Sequence, residues 1–192
     1  MMIVDGRGQT ETALLAGEIL CPDCSSPLRP HGQARTRTVR GPGDTRLTMR
    51  PRRARCTGCR RTQILLPAAL SVRRADTVEV IGTALAAKAA GSGYRTIAAH
   101  MGRPLSTVRR WLRRVPETHA HWLYEQAVQH AFRLNPDTLA RPKPWPSLLG
   151  WSLNILAGAA LAYRHRVDVD LPPWTLIGLF TQGNLLSPPL RT

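Results

Sequence analysis

Residues 52–67 read RRARCTGCRRTQILLP: two cysteines set among five arginines, followed at once by an apolar run. Their counterpart is CPDC at 21–24, with 31 residues between the two motifs. A C-x-x-C turn puts two thiolates on one side of a knuckle. Two such knuckles supply the four sulfurs that suit tetrahedral zinc. The ligand set is Cys21, Cys24, Cys56 and Cys59, and these are the chain's four cysteines. The N-terminus carries an acid at Asp5 and no basic region ahead of a long apolar core, so no secretion signal is read. Without export, metal binding accounts for paired cysteines better than disulfides do. A redox C-x-x-C would not need a second copy, and no thioredoxin-like pattern surrounds either pair. His31 is a possible substitute ligand, but four thiolates already close the site. A closed four-sulfur site leaves no position for water, so the expectation is one structural Zn2+.

Between the knuckles lies QARTRTVRGPGDTRLTMRPRRAR. Gly41-Pro42-Gly43-Asp44 is a turn signal flanked by roughly alternating Thr, Val, Arg and Leu, Thr, Met, which predicts a β-hairpin carrying a knuckle at its base, a zinc ribbon over 21–67. Zinc with four thiolates is formally −2, so nearby cations help neutralise it. Yet eleven basic residues from Arg29 to Arg61 face a single acid, Asp44. That excess exceeds local compensation. The metal folds a piece too small for a core of its own, and the arginines, Arg52, Arg53 and Arg55 among them, form its working surface. The whole chain has 192 residues and a net charge of +15. Residues 1–116 hold 21 basic and 7 acidic side chains, against 6 and 5 in residues 117–192. A basic half of this size suggests a polyanion, nucleic acid first and an anionic membrane surface second.

Residues 68–116 read as a three-helix module. In DTVEVIGTALAAKAA (76–90), Asp76 and Glu79 have capping-box spacing, with Val78, Ile81, Leu85 and Ala89 on one face. YRTIAAHMGRPLSTVRRWLRRV (94–115) follows as two short helices about a turn at Gly102, the second starting with Ser106 as N-cap. Its apolar side takes Val108, Trp111, Leu112 and Val115. Its outward side presents Thr107, Arg109, Arg110, Arg113 and Arg114, with Leu105 and Ser106 at the tip. The bland alternative is a helical bundle with a solvated basic face.

The approach RRARCTGCRRTQILLP followed by GYRTIAAHMGRPLSTVRRWLRR resembles the zinc-ribbon and helix-turn-helix DNA-recognition region of bacterial insertion-sequence transposases and of transposase-derived proteins that keep only this part. The resemblance covers residues 21–115. It implies double-stranded DNA binding, with Ser106, Thr107, Arg109 and Arg110 on base edges and Arg113, Arg114, Arg95 and Arg103 on phosphates. The glycine of the turn is followed by RPL where a small apolar residue is usual. The transposase reaction is not implied. It needs three carboxylates in an RNase H-like fold, and residues 117–192 contain only Glu117, Glu125, Asp137, Asp168 and Asp170 with no βαβ pattern.

Residues 117–192 read as a helical, apolar interaction region, with a Pro-rich linker at 136–146 where four prolines exclude regular structure. Residues 117–134 carry a wide apolar stripe, and about 147–164 is apolar nearly all round yet short for a bilayer span. VDVD at 167–170 reads as a short strand or turn. So much uncharged apolar surface suggests a homodimer or a protein partner. The expected fold class is α+β, mostly α: an N-terminal segment (1–20), ribbon (21–67), helix-turn-helix domain (68–116) and helical C-terminal region (117–192). The expected protein is a non-enzymatic, zinc-stabilised, cytoplasmic, nucleoid-associated DNA binder, a transcriptional regulator or a transposition or recombination accessory factor. The rivals are an interaction module gripping RNA or an anionic surface, and a truncated transposase remnant.

Overall fold

The computed structural model of the chain describes residues 2–4, 7–140 and 145–188. It is an α+β structure with eight helices among those residues and two small sheets. The larger sheet has the order β1-β6-β5-β2, made from Met2–Val4 (β1), Leu28–Gln33 (β2), Arg52–Cys56 (β5) and Thr62–Pro67 (β6). β5 pairs antiparallel with both β2 and β6, and β1 adds parallel to β6. The hairpin of Arg37–Arg40 (β3) and Arg46–Met49 (β4) forms the second sheet by itself, with Arg40 opposite Arg46 at the turn end.

The turn at Gly41–Asp44 therefore lies where expected. The Gly41 amide donates to the Thr45 carbonyl at 2.7 Å, and Gly43 takes φ 56. The hairpin is not the element that carries the knuckles, however. CPDC precedes β2 and CTGC links β5 to β6, so the knuckles belong to the larger sheet. Pro51, which has no N–H for a ladder, stands between β4 and β5 and separates the hairpin from that sheet.

Arg7–Ala16 of the N-terminal segment forms α1, and the chain leaves it through Gly17 at φ 78. Leu14 packs on Leu28, Ala54, Cys56 and Leu65, giving the cysteine-bearing sheet a small apolar core of its own.

The remaining helices are Val78–Ala89 (α2), Tyr94–Met101 (α3), Leu105–Arg113 (α4), Glu117–Leu134 (α5), Asp137–Ala140 (α6), Leu148–Val167 (α7) and Pro173–Phe180 (α8). Two expected caps move. Thr77, not Asp76, caps α2, its hydroxyl accepting from the Val80 amide at 3.4 Å. Asp76 is drawn instead to two arginines. α4 starts one residue before Ser106, behind Pro104, whose fixed φ suits a helix entry. Gly102 does end α3 in the left-handed region, at φ 59.

One apolar core joins Val78, Ile81 and Leu85 of α2 to Val108 and Trp111 of α4, and also to Leu123 and Ala127 of α5, Leu156 and Ala160 of α7, and Ile177 and Phe180 of α8. Much of the apolar surface of residues 117–180 is thus buried within this chain, while Phe132, Leu161 and Val167 stay exposed. α2 and α7 have more apolar surface than a three-helix module can cover, and α5 and α8 cover it. Small side chains let α5 and α7 approach closely: Ala120, Ala127 and Ala131 face α7, with Ala159 and Ala160 opposite. The buried Ser152 hydroxyl lies 2.8 Å from the Leu148 carbonyl and 3.1 Å from that of Ala120. α8 also comes against the end of β6, where Gly178 meets the Ala68 carbonyl.

Among the described residues of the Pro-rich stretch there is one regular piece, the single turn α6. Pro136 stands just ahead of it, where a missing N–H costs nothing. Residues 141–144 of that expected linker lie outside the described residues. Of the two expectations for 167–170 the turn holds and the strand does not: α7 runs to Val167, Asp168 turns the chain out of it at φ 49, and Asp170 pairs with Arg164 at 2.9 Å. Among the described residues no helix is long and apolar enough to cross a membrane.

Candidate metal centre and basic face

The two knuckles bring Cys21, Cys24, Cys56 and Cys59 together, their sulfurs all within 4.8 Å of one another. The Sγ atoms of Cys21 and Cys59 are 3.7 Å apart and those of Cys24 and Cys56 are 3.3 Å apart. Metal–thiolate bonds of about 2.3 Å in a tetrahedron would set the sulfurs ~3.8 Å apart, so the cage has the right size for one ion. Cys21 and Cys56 are buried, while Cys24 and Cys59 face outward. The Ser26 backbone amide, helped by its hydroxyl, holds the Cys24 thiol down to about 6. At Cys59 the Arg61 backbone amide pulls in the same sense, but desolvation and the neighbouring sulfurs push the thiol up to about 12. Sulfurs this close cannot all carry charge with no cation between them. The chemistry of the donor set thus matches its geometry: a divalent ion would let all four ionise.

Arginines surround the cage but do not all face solvent freely. Arg52 makes a two-pronged pair with Glu11 of α1, Nε at 2.9 Å and Nη2 at 2.6 Å. Arg55 is exposed and donates to the Arg60 carbonyl at 3.2 Å, while Arg53 is half-buried. Arg52 is therefore a brace between α1 and β5, which differs from its expected role as a free surface cation.

Arg103 departs furthest from expectation. Its side chain is only 7% exposed, and its Nε donates to Asp76 at 2.9 Å. Its Nη2 donates to the Gly41 carbonyl at 2.5 Å, so it grips the hairpin turn from the loop between α3 and α4. Arg40 of β3 holds the other edge of Asp76 with Nε at 3.1 Å and Nη2 at 2.8 Å. Backbone bonds reinforce the joint: the Arg40 amide donates to the Ala75 carbonyl at 2.8 Å, and the Thr77 amide to the Arg40 carbonyl at 2.9 Å. The result is a latch that fixes the hairpin tip beside the start of α4. The spacing of Asp76 and Glu79 points Asp76 to a helix cap, and Arg40 stands among ten other basic residues of the ribbon. Neither residue carries a local signal of a pairing that spans 36 positions.

Ser106, Arg109, Arg110, Arg113 and Arg114 are exposed on α4, and Thr107 is half-buried. Helical spacing divides them into two stripes. Ser106, Arg109 and Arg113 form one, with Arg109 lying 5.9 Å from the Tyr94 ring centre, the same distance as Arg95. Thr107, Arg110 and Arg114 form the other and line a cleft against residues 73–76. Arg95 is exposed at the start of α3. Leu105, 46% exposed, sits at the tip of α4.

A family model described as a domain of unknown function (DUF6431) matches residues 21–111. The match runs from the first cysteine into α4 and so takes in the sulfur cage, the hairpin and the latch. No curated protein and no solved structure matches the chain.

Proposed function

We propose that this chain is a zinc-stabilised, non-catalytic protein that binds double-stranded DNA through a helix-turn-helix made of α3 and α4. It would serve as a transcriptional regulator or as an accessory factor in transposition or recombination. The observation that carries the reading is the latch. Asp76, Arg40 and Arg103 hold a cationic hairpin beside the N-terminal end of a helix whose outward faces hold four arginines and no acid. A helix of this kind fits the major groove, and its first residues reach base edges most easily.

The stripe of Ser106, Arg109 and Arg113 is assigned to bases, and that of Thr107, Arg110 and Arg114 to the backbone. Relative to what the resemblance implies, this moves Thr107 and Arg110 from base edges to the backbone and Arg113 from phosphate to bases. The exposed Leu105 suits apolar contact with a thymine methyl group. Zinc is the ion assigned to the cage, since four thiolates at tetrahedral spacing are its usual structural set. The ion's part is to hold CPDC against CTGC, and no reaction step is assigned to it.

The test is selection of bound duplexes from a random pool, with metal content measured on the same sample. The expected result is one zinc per chain, enrichment of a defined site, and an affinity that falls linearly with salt on logarithmic axes. Arg109→Ala should flatten the enriched motif at one position, a change of about 1–3 kcal/mol in base discrimination. Failure to retain duplex at low salt, with zinc bound and the fold intact, would end the DNA reading. Preferential retention of RNA or of anionic vesicles would replace it.

A further inference from the structure

We infer that the cleft between α4 and residues 73–76 is a built seat for one phosphate group. On the nucleic-acid reading above, that group is a backbone phosphodiester, and only this choice of source rests on that reading. Arg73, Arg74, Arg110 and Arg114 converge on the cleft, and Thr107 adds a hydroxyl to its wall. Among the described residues none of these four arginines takes part in an ion pair. The one carboxylate in the lining, Asp76, is 3% exposed and already engaged by Arg40 and Arg103. The cleft is thus an uncompensated concentration of positive charge with fork-shaped donors, which is what phosphate oxygens match.

The seat is held in shape from behind. The Arg37 guanidinium donates to the Arg74 carbonyl at 2.9 Å, and the Arg40 amide donates to the Ala75 carbonyl at 2.8 Å. β3 therefore pins residues 74 and 75. Arg73 is held at φ 58, a conformation that L residues rarely adopt. Arg74 feels the crowding: partial burial first, then the charges of Arg114, Arg110 and Arg73, bring its pKa below the ordinary arginine range. An anion in the cleft would relieve that repulsion. Two structural units thus contribute to one seat, the hairpin-supported segment from one side and α4 from the other. The latch sets their separation.

The test uses the full, zinc-loaded chain and two variants on opposite walls, Arg74→Gln and Arg114→Gln, with Arg166→Gln on α7 as a control outside the cleft. The first arm compares melting in orthophosphate with melting in chloride at equal ionic strength. Phosphate should raise the Tm of the parent and the control, and the rise should vanish in both wall variants. The second arm follows duplex affinity against salt, where each wall variant should lower the logarithmic slope by about 0.9, the loss of one phosphate contact. A slope change, with or without the orthophosphate effect, places a backbone phosphodiester in the seat. Orthophosphate stabilisation in a chain that ignores duplexes defeats the DNA reading and leaves the seat as a free-phosphate site. Unchanged slope and unchanged phosphate response in both wall variants overturn the seat, whether or not the parent binds duplex.

Discussion

Replacing Asp76 with Asn would test whether the hairpin and the helices are held together by charge. The carboxylate is 3% exposed and receives three hydrogen bonds, at 2.8 and 3.1 Å from Arg40 and 2.9 Å from Arg103. The amide keeps the shape, but loses the charge and offers two N–H groups to guanidinium groups that can only donate. The two arginines respond differently. Arg40 is 36% exposed, so water re-solvates it and its arm contributes little, about 0.2–1 kcal/mol. Arg103 is 7% exposed and would remain as a buried cation with only backbone carbonyls around it. Orphaning a buried charge costs about 3–5 kcal/mol, so the Arg103 arm dominates. For a chain of this size each kcal/mol moves Tm by roughly 2–4 °C, so a fall of about 6–20 °C is expected. The assay is calorimetry on zinc-loaded protein, run as a double-mutant cycle with Arg103→Met. In the Arg103→Met background, Asp76→Asn should cost far less, because the buried cation is already gone. Equal losses in both backgrounds, or a Tm within a degree of the parent, would refute the latch.

Three other outcomes follow from separate parts of the fold. Cys56→Ser should abolish stoichiometric metal while circular dichroism keeps most of the α5–α7 helical signal, because those helices pack in a different core from the cysteines. Gly178→Ala should destabilise the chain by about 1–3 kcal/mol in denaturant titration, since the added methyl overlaps the Ala68 backbone carbonyl, which cannot swing away. His119 is 3% exposed, and burial lowers its pKa despite its contact with the Leu185 carbonyl at 3.1 Å. The unfolded chain therefore binds this proton more readily than the folded one, and stability falls as pH drops below about 6.5. In excess zinc, His119→Phe should show a shallower loss between about pH 7 and 5 than the parent, and an unchanged slope would mean that His119 stays neutral for no energetic reason.

Local chemistry in the sequence was enough to place much of this protein. The C-x-x-C knuckles, the Gly41–Asp44 turn, the left-handed Gly102 and the span of α5 each depend on residues within a few positions of one another, and each stands where spacing put it. The basic outer face of α4 was legible for the same reason: helical periodicity assigns Val108 and Trp111 to the inside and leaves the arginines outside.

What tertiary structure decided involves partners far apart along the chain. Asp76 had cap spacing, yet a buried carboxylate gains more from two guanidinium groups than from backbone amides, and those lie 36 and 27 residues away. Arg103 and Arg52 looked like any other surface cations until the fold placed Asp76 and Glu11 against them. The apolar tail called for burial without saying where, because hydrophobic attraction has no direction. Only the assembled helices reveal that α5, α7 and α8 bury it largely against one another and partly against α2. Periodicity identifies the face a helix turns away from water, whereas the identity of its neighbour depends on shape and charge across the whole chain.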